Sequence, residues 1–209
     1  MKDQACKGVI FDLGGVVLDS PLHVIARFEE ERGIPQNFVN HLVLETAPDG
    51  AWSKLERGEV DMEGFCALFD VECQARGQWL PACDLMDAIK GSTGPRPTML
   101  QALRRLREEG LQIAALTNNW SNDGQDPHQL RPYFDHYIES SVVGLRKPDP
   151  KIYELVLDQM EIEAHEAVFL DDIGTNLKPA RAMGVKTIKV ETSEQALAEL
   201  EQVLGFSLA

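Results

Sequence analysis

Hydrophobic positions fall into two different rhythms along this chain. Past residue 94, short unbroken apolar runs exchange with stretches in which apolar residues recur every three or four positions. The runs are "LQIAALT" (111–117), "AVFLDD" (167–172) and "VKTIKV" (185–190), with a shorter "DHYIES" (135–140). Together with "GVIFD" (8–12) they predict five strands. The intervening "PTMLQALRRLREEG" (97–110) carries Leu100, Leu103 and Leu106 at helical spacing, with Pro97 as a start and Gly110 as a stop. "DPKIYELVLDQM" (149–160) opens on Asp149 as N-cap and Pro150 as first helical residue. "TNLKPARAMG" (175–184) and "SEQALAELEQVLG" (193–205) complete the helices of this part. Strands alternating with helices dictate right-handed crossovers and a parallel sheet covered on both faces.

Residues 20–92 follow the other rhythm. "SPLHVIARFEEERG", "PQNFVNHLVLETA", "GAWSKLERGEV" and "DMEGFCALFDVECQARG" read as short amphipathic helices broken by Gly and Pro, without a strand. This is a helical insertion after the first strand. The Gly- and Pro-rich "KGSTGPRP" (90–97) marks the return to the sheet. The division is therefore a sheet domain from 1–19 and 93–209 and a helical domain from 20–92. Trp52, Phe65, Leu68 and Phe69 read as core of the helical part rather than as a ligand stripe.

Composition narrows the classes of function. At 209 residues and 44% hydrophobic content the chain supports one sizeable core with a smaller companion. The net charge of −14 repels nucleic acid and anionic membranes. No apolar run approaches the ~20 residues of a bilayer span, and "MKDQACKG" does not resemble a secretion signal. The four cysteines, Cys6, Cys66, Cys73 and Cys83, form no CxxC pair, which argues against a thiolate zinc site. They are expected to be reduced thiols in a cytoplasmic protein. The five histidines show no metal spacing and read as surface or helical-layer residues.

Candidate chemistry emerges when polar residues are set on the predicted elements. Asp12 ends the first strand, Thr117 and Asn118 the second, Asp171 and Asp172 the one at 167–172. Lys147 lies just before the helix at 150, whose N-terminal amides already favour an anion. In open α/β sheets, ligands bind at these carboxyl ends. Each feature alone is an ordinary turn or cap; their shared sheet edge is what points to a site. Three carboxylates crowded together repel unless a cation lies among them, and all-oxygen ligands suit Mg²⁺. A lysine and amide donors beside such an ion suit a phosphoryl group.

The order Asp12-x-x-Gly15, Thr117-Asn118, Lys147-Pro148 and Asp171-Asp172 resembles the four motifs of the haloacid dehalogenase superfamily. "LTNNW", "IESSVVGLRKPDPKIYELVLDQ" and "VFLDDIGTNLKPARAMGVKTI" are similar to one branch of it. That branch holds the N-terminal phosphatase domain of soluble epoxide hydrolase and the phosphatase-like domain of multidomain acyl-CoA dehydrogenase relatives. The likeness runs through the whole sheet part and thins across 20–92. It implies a Rossmann-like core, a small helical cap and a small-molecule phosphate as substrate. It implies Asp12 as a nucleophile that becomes phosphorylated. Mg²⁺ would be held by Asp12, the Gly14 carbonyl and the Asp171–Asp172 pair, with Asp172 ligating directly and Asp171 and Asn176 in support. Thr117 and Asn118 would bind phosphoryl oxygens, and Lys147 would neutralise charge and orient Asp12.

One position departs from the family. Its phosphatases carry a second Asp two residues after the nucleophile, as acid and base, and here that residue is Gly14. A positioned proton donor is worth ~10²–10⁴-fold in rate, about 3–5 kcal/mol of barrier. The metal site and the charge neutralisation survive this loss, so a slowed phosphatase is expected ahead of an inactive phosphoryl-binding domain. Asp19 is a candidate substitute acid, or else the N-cap of the first helix of the insertion. A carbon–halogen hydrolase ranks below both, because the paired acids call for a cation and its family members carry an aromatic residue at position 14. The Gly14-Gly15 pair is expected to let the backbone come close to a bound ion and phosphate.

Overall fold

The computed structural model describes residues 6–90, 94–120 and 128–208. After β1 (Gly8–Phe11) come α1 (Pro21–Glu31), α2 (Phe38–Thr46), α3 (Ala51–Glu56), α4 (Met62–Ala75) and α5 (Ala82–Lys90). The chain then runs through α6 (Pro97–Glu108), β2 (Gln112–Thr117), β3 (His136–Glu139), the single turn α7 (Ser140–Val143) and α8 (Pro150–Met160). β4 (Ala167–Asp171), α9 (Gly174–Ala182), β5 (Lys186–Lys189) and α10 (Ser193–Leu204) follow.

The five strands are parallel, in the order β3-β2-β1-β4-β5, as the alternation in the sequence dictates. Successive side chains face opposite ways along each strand. Val9, Phe11, Ile113, Ala115, Val168 and Leu170 therefore pack with Met99, Leu103 and Leu106 of α6 and Ala196 and Leu200 of α10. Ile10, Ala114, Leu116 and Phe169 pack on the other face with Ile152 and Val156 of α8 and Leu177 of α9. Asp149 caps α8 as expected, its carboxylate accepting from the Lys151 amide at 3.0 Å. β1 lies between β2 and β4, so the sheet grows first one way and then the other from this strand. A crevice opens at such a switch point, beyond the carboxyl ends of the strands.

The helices α1–α5 gather around a separate apolar cluster that includes Phe28, Leu42, Trp52, Phe65, Phe69 and Leu85. Trp52 meets Phe65 edge-on at 5.6 Å, and Phe65 stacks on Phe69 at 5.3 Å. Leu68 departs from expectation: it is 41% exposed, because it sits on the outer side of α4, away from that cluster. α5 has no counterpart among the expected helices. Its first amide, Ala82 N–H, is capped by Asp70 of α4 at 2.9 Å, a partner twelve residues away rather than a local cap. This helix overturns the cysteine reading as well. α5 brings Cys83 against α4, and Cys66 and Cys83 form a disulfide with Cα atoms 5.4 Å apart, while Cys6 and Cys73 are free thiols.

Two chain segments link the helical layer to the sheet and run side by side. Asp19 N–H donates to Gly94 O (2.9 Å) and Arg96 N–H to Val17 O (2.8 Å). The expected boundary at 92–93 involves residues 91–93, which lie outside the described residues. Among the described residues, no helix is long and apolar enough to cross a membrane.

Candidate active site

Asp12 follows β1 directly, with its own amide still bonded to Leu170 O of β4 at 2.9 Å. Its carboxylate turns back on the chain: Oδ1 accepts from Leu13 N–H at 2.7 Å and caps the tight turn Leu13–Val17. Inside that turn the two glycines differ. Gly15 has φ +79°, and a Cβ there would lie 2.0 Å from Asp172 Oδ2, so only glycine admits the approach of the second acid. Gly14 has φ −65° and ψ 124°, open to any residue, and a Cβ there would first meet Pro21 Cδ at 3.6 Å. Within the protein itself, then, position 15 requires glycine and position 14 does not.

Lys147 is fully buried beneath the crevice. Its Nζ lies 2.9 Å from Asp12 Oδ1 and 2.8 Å from Asp171 Oδ2. Asp171, also fully buried, is saturated: Ile173 N–H donates to Oδ1 at 2.7 Å and Asn176 Nδ2 to both oxygens at 3.1 Å. Tyr153 holds Asn176 from behind, its hydroxyl donating to the Asn176 carbonyl at 2.6 Å. Asp172 is freer, with the Ser20 hydroxyl 3.5 Å from Oδ2. Asp12, Asp171 and Asp172 each offer an oxygen within 4.8 Å of the others. Thr117 is buried at the end of β2. Asn118 is bound to the lysine's backbone: its Oδ1 accepts from Lys147 N–H at 2.8 Å and its Nδ2 donates to Lys147 O at 3.0 Å.

The electrostatics are lopsided. Burial, followed by the charges of Asp171 and Asp172 and only partly offset by Lys147, pushes the Asp12 carboxyl up to about 8. Burial and Asp171 push Asp172 up to about 6. Burial alone would lower Lys147, but Asp12 and Asp171 outweigh it and hold the ammonium above its ordinary value. One ammonium thus stands against three acids, a group of oxygen ligands that could hold a hard cation. The Leu13 amide and the Lys147 ammonium both meet Asp12 at Oδ1, and Asp172 Oδ2 is met by the long Ser20 hydroxyl contact.

Several residues at this rim escape sequence reasoning. Ser20, not Asp19, caps α1, its hydroxyl accepting from Leu22 N–H at 3.4 Å. Asp19 is 62% exposed at its side chain and lies 3.7 Å from Arg96 Nε. Glu56 at the end of α3 reaches across to Arg146 Nε at 2.5 Å and Asn118 Nδ2 at 3.3 Å. The one signal for it is local: an acid four residues after Trp52 lies on the buried face of its helix.

Comparison with known proteins agrees with this geometry. The family model described as haloacid dehalogenase-like hydrolase matches residues 6–184. Bifunctional epoxide hydrolase 2 of Sus scrofa is 37% identical over 98% of this chain and 40% of its own length. The sesquiterpene phosphatase of Aspergillus oryzae is 29% identical over 95% of this chain and 97% of its own. The chain spans 20 to 40% of the length of the first curated relatives it matches. A haloacid dehalogenase family enzyme from Bacteroides thetaiotaomicron, solved with magnesium and inorganic phosphate, superposes with a TM-score of 0.65 at 21% identity, covering 94% of this chain and 99% of its own.

Proposed function

Because the chain belongs to the haloacid dehalogenase-like hydrolases, we propose that it cleaves a small organic phosphate monoester, with Mg²⁺ as cofactor and Asp12 as nucleophile. The reading rests on one observation above the others: Lys147 Nζ bridges Asp12 and Asp171 at 2.9 and 2.8 Å inside a cluster of three acids that one ammonium does not neutralise. The relative named as a sesquiterpene phosphatase, matched along nearly its whole length, supports phosphate ester chemistry.

Mg²⁺ would be held by Asp12, the Gly14 carbonyl and Asp172, with Asp171 in support, and would withdraw charge from the phosphoryl oxygens. Asp12 Oδ2 attacks phosphorus as the bond to the ester oxygen breaks, giving phospho-Asp12 and an alkoxide. The alkoxide takes its proton from water, since residue 14 brings no acid. Lys147 fixes Asp12 and, with the Thr117 hydroxyl and the backbone N–H of Asn118, whose side chain is committed to Lys147 and Glu56, would meet the phosphoryl oxygens. Water then attacks phosphorus, returning free Asp12 and inorganic phosphate. The helical part at 20–92 acts as a cap over the domain formed by 1–19 and 93–209.

Gly14 favours a second reading, a phosphoryl-binding domain without turnover. Rapid mixing with an aryl phosphate separates the two. The phosphatase reading expects a burst of about one phenol per chain in Mg²⁺, followed by slow release, because the second step lacks a base. Absence of any burst or turnover, in the wild type and in Gly14→Asp alike, would leave only the binding domain.

A further inference from the structure

We infer that Glu56 is a positioning residue: through it, seating of the helical layer sets the conformation of the two loops that carry Asn118 and Lys147. The catalytic consequence rests on the phosphatase reading; the mechanical one does not.

Glu56 is the last residue of α3 and is 8% exposed, although it belongs to the helical layer and its partners belong to the sheet domain. Oε1 accepts from Trp52 Nε1 at 3.1 Å, which locks the carboxylate to its own helix. Oε2 accepts from Arg146 Nε at 2.5 Å and from Asn118 Nδ2 at 3.3 Å. These partners lie 90 and 62 residues away in sequence, one before Lys147 and the other directly after Thr117. Asn118 in turn grips both backbone groups of Lys147, at 2.8 and 3.0 Å. A continuous line of contacts therefore leads from α3 through Asn118 and Arg146 to the lysine that holds Asp12.

The pair is not explained by stability alone. Taking a carboxylate and a guanidinium out of water is costly, and their attraction repays that cost only in the seated geometry. A packed apolar pair would hold α3 down as well without that cost. What the ion pair adds is direction, since the Arg146 Nε–H and the Asn118 Nδ2–H converge on the one oxygen, Glu56 Oε2, and so tie the two loops to the same point of α3. α3 also rests against α7, where Gly58, at φ +68°, passes so close to Ser141 O that a Cβ would lie 2.3 Å from it. The C-terminal end of α3 thus meets the sheet domain through Glu56 and, close by, through Gly58, and Glu56 is the charged contact.

The test reads the loops directly. In Glu56→Gln, amide hydrogen exchange at Lys147 should rise about tenfold or more, while the core amides of β1 and β4 keep their protection. Arg146→Gln should do the same, and the double variant should add little to either single one. Arg146→Lys keeps a cation but loses the planar fork and should lie between. With an aryl phosphate, kcat should fall about tenfold in Glu56→Gln with KM changed less. Unchanged Lys147 exchange in folded Glu56→Gln, or single effects that add fully in the double variant, would overturn the inference. Should Glu56→Gln fail to fold, Arg146→Lys carries the same exchange criterion. If no variant and no wild type turns over any phosphate, the exchange result still decides Glu56, and the phosphatase reading fails separately.

Discussion

Both halves of the molecule bury carboxylates, and they treat them differently. In the helical layer Glu29 is 1% exposed, and its two oxygens are met by the amides of Asn37 and Val39, each at 2.8 Å. Glu56 faces one guanidinium and two N–H donors. At the rim of the sheet, three acids share one ammonium. Burial by itself therefore marks nothing functional. The mark is a surplus of one sign, because a fold selected only for stability pairs each buried charge or leaves it out.

The surplus is broken most directly at its centre. Asp12→Asn removes the proposed nucleophile and should lower steady turnover by on the order of 10⁴-fold or more. The burst with an aryl phosphate should vanish with it. A variant that retains a full burst would mean that another residue takes the phosphoryl group.

The next effect tests the two adjacent glycines. Gly14→Asp meets no backbone strain and its Cβ has no contact nearer than 3.6 Å, so it should fold and raise steady turnover by ~10²-fold or more, toward the range of an added acid–base group. Gly15→Ala places a methyl 2.0 Å from Asp172 Oδ2 at φ +79°. It should lose about 1–2 kcal/mol to the backbone alone and weaken Mg²⁺ binding through displacement of Asp172. Equal outcomes at the two positions, read by melting temperature and turnover, would erase the distinction.

A smaller effect is expected from pH. Burial and the neighbouring acids push Asp172 up to about 6 and Asp12 up to about 8, from the ordinary carboxyl value of 3.8. Between roughly pH 4 and 8 the folded state binds more protons than the unfolded one, so the metal-free protein should lose stability as pH rises through this window. On the proposed reading Mg²⁺ would bind the ionised carboxylates, so its stabilisation should grow over the same interval. Melting temperatures at pH 5 and pH 8, in chelator and in Mg²⁺, test this. Asp172→Asn should flatten the metal-free slope; an unchanged slope would detach the pH dependence from the rim.

The same contrast explains what the sequence could disclose. The rim acids stand at the ends of apolar strands, and strand ends of a parallel sheet converge by topology, so Asp12, Asp171 and Asp172 were legible as a group. Asp149 was legible because its cap is local. The helical layer holds its parts together at a distance. α5 takes its cap from Asp70, Cys66 finds Cys83 across two helices, and Glu56 finds partners on loops far along the chain. None of these pairings leaves a period or a motif. Gly14 and Gly15 look alike in sequence, and only the position of Asp172 tells them apart.

The smallest effect lies just behind the rim. The Tyr153 hydroxyl donates to the Asn176 carbonyl at 2.6 Å, and Asn176 in turn donates to both oxygens of Asp171. Burial, then the charges of Asp171 and Asp12, push this phenol up, so it stays protonated and remains a donor at any working pH. Tyr153→Phe deletes the one hydroxyl and keeps the ring that packs edge-on against Phe169 at 5.7 Å. The loss should be about 1 kcal/mol, a fall of some 2–4 °C in melting temperature for a chain of this size. Turnover should change less than about threefold, since Asp171 keeps Lys147, Ile173 N–H and the Asn176 side chain. A loss beyond about tenfold at unchanged stability would show that the rim is held by the groups behind it as much as by its own charges, and the contrast with the buried carboxylates of the helical layer would no longer stand.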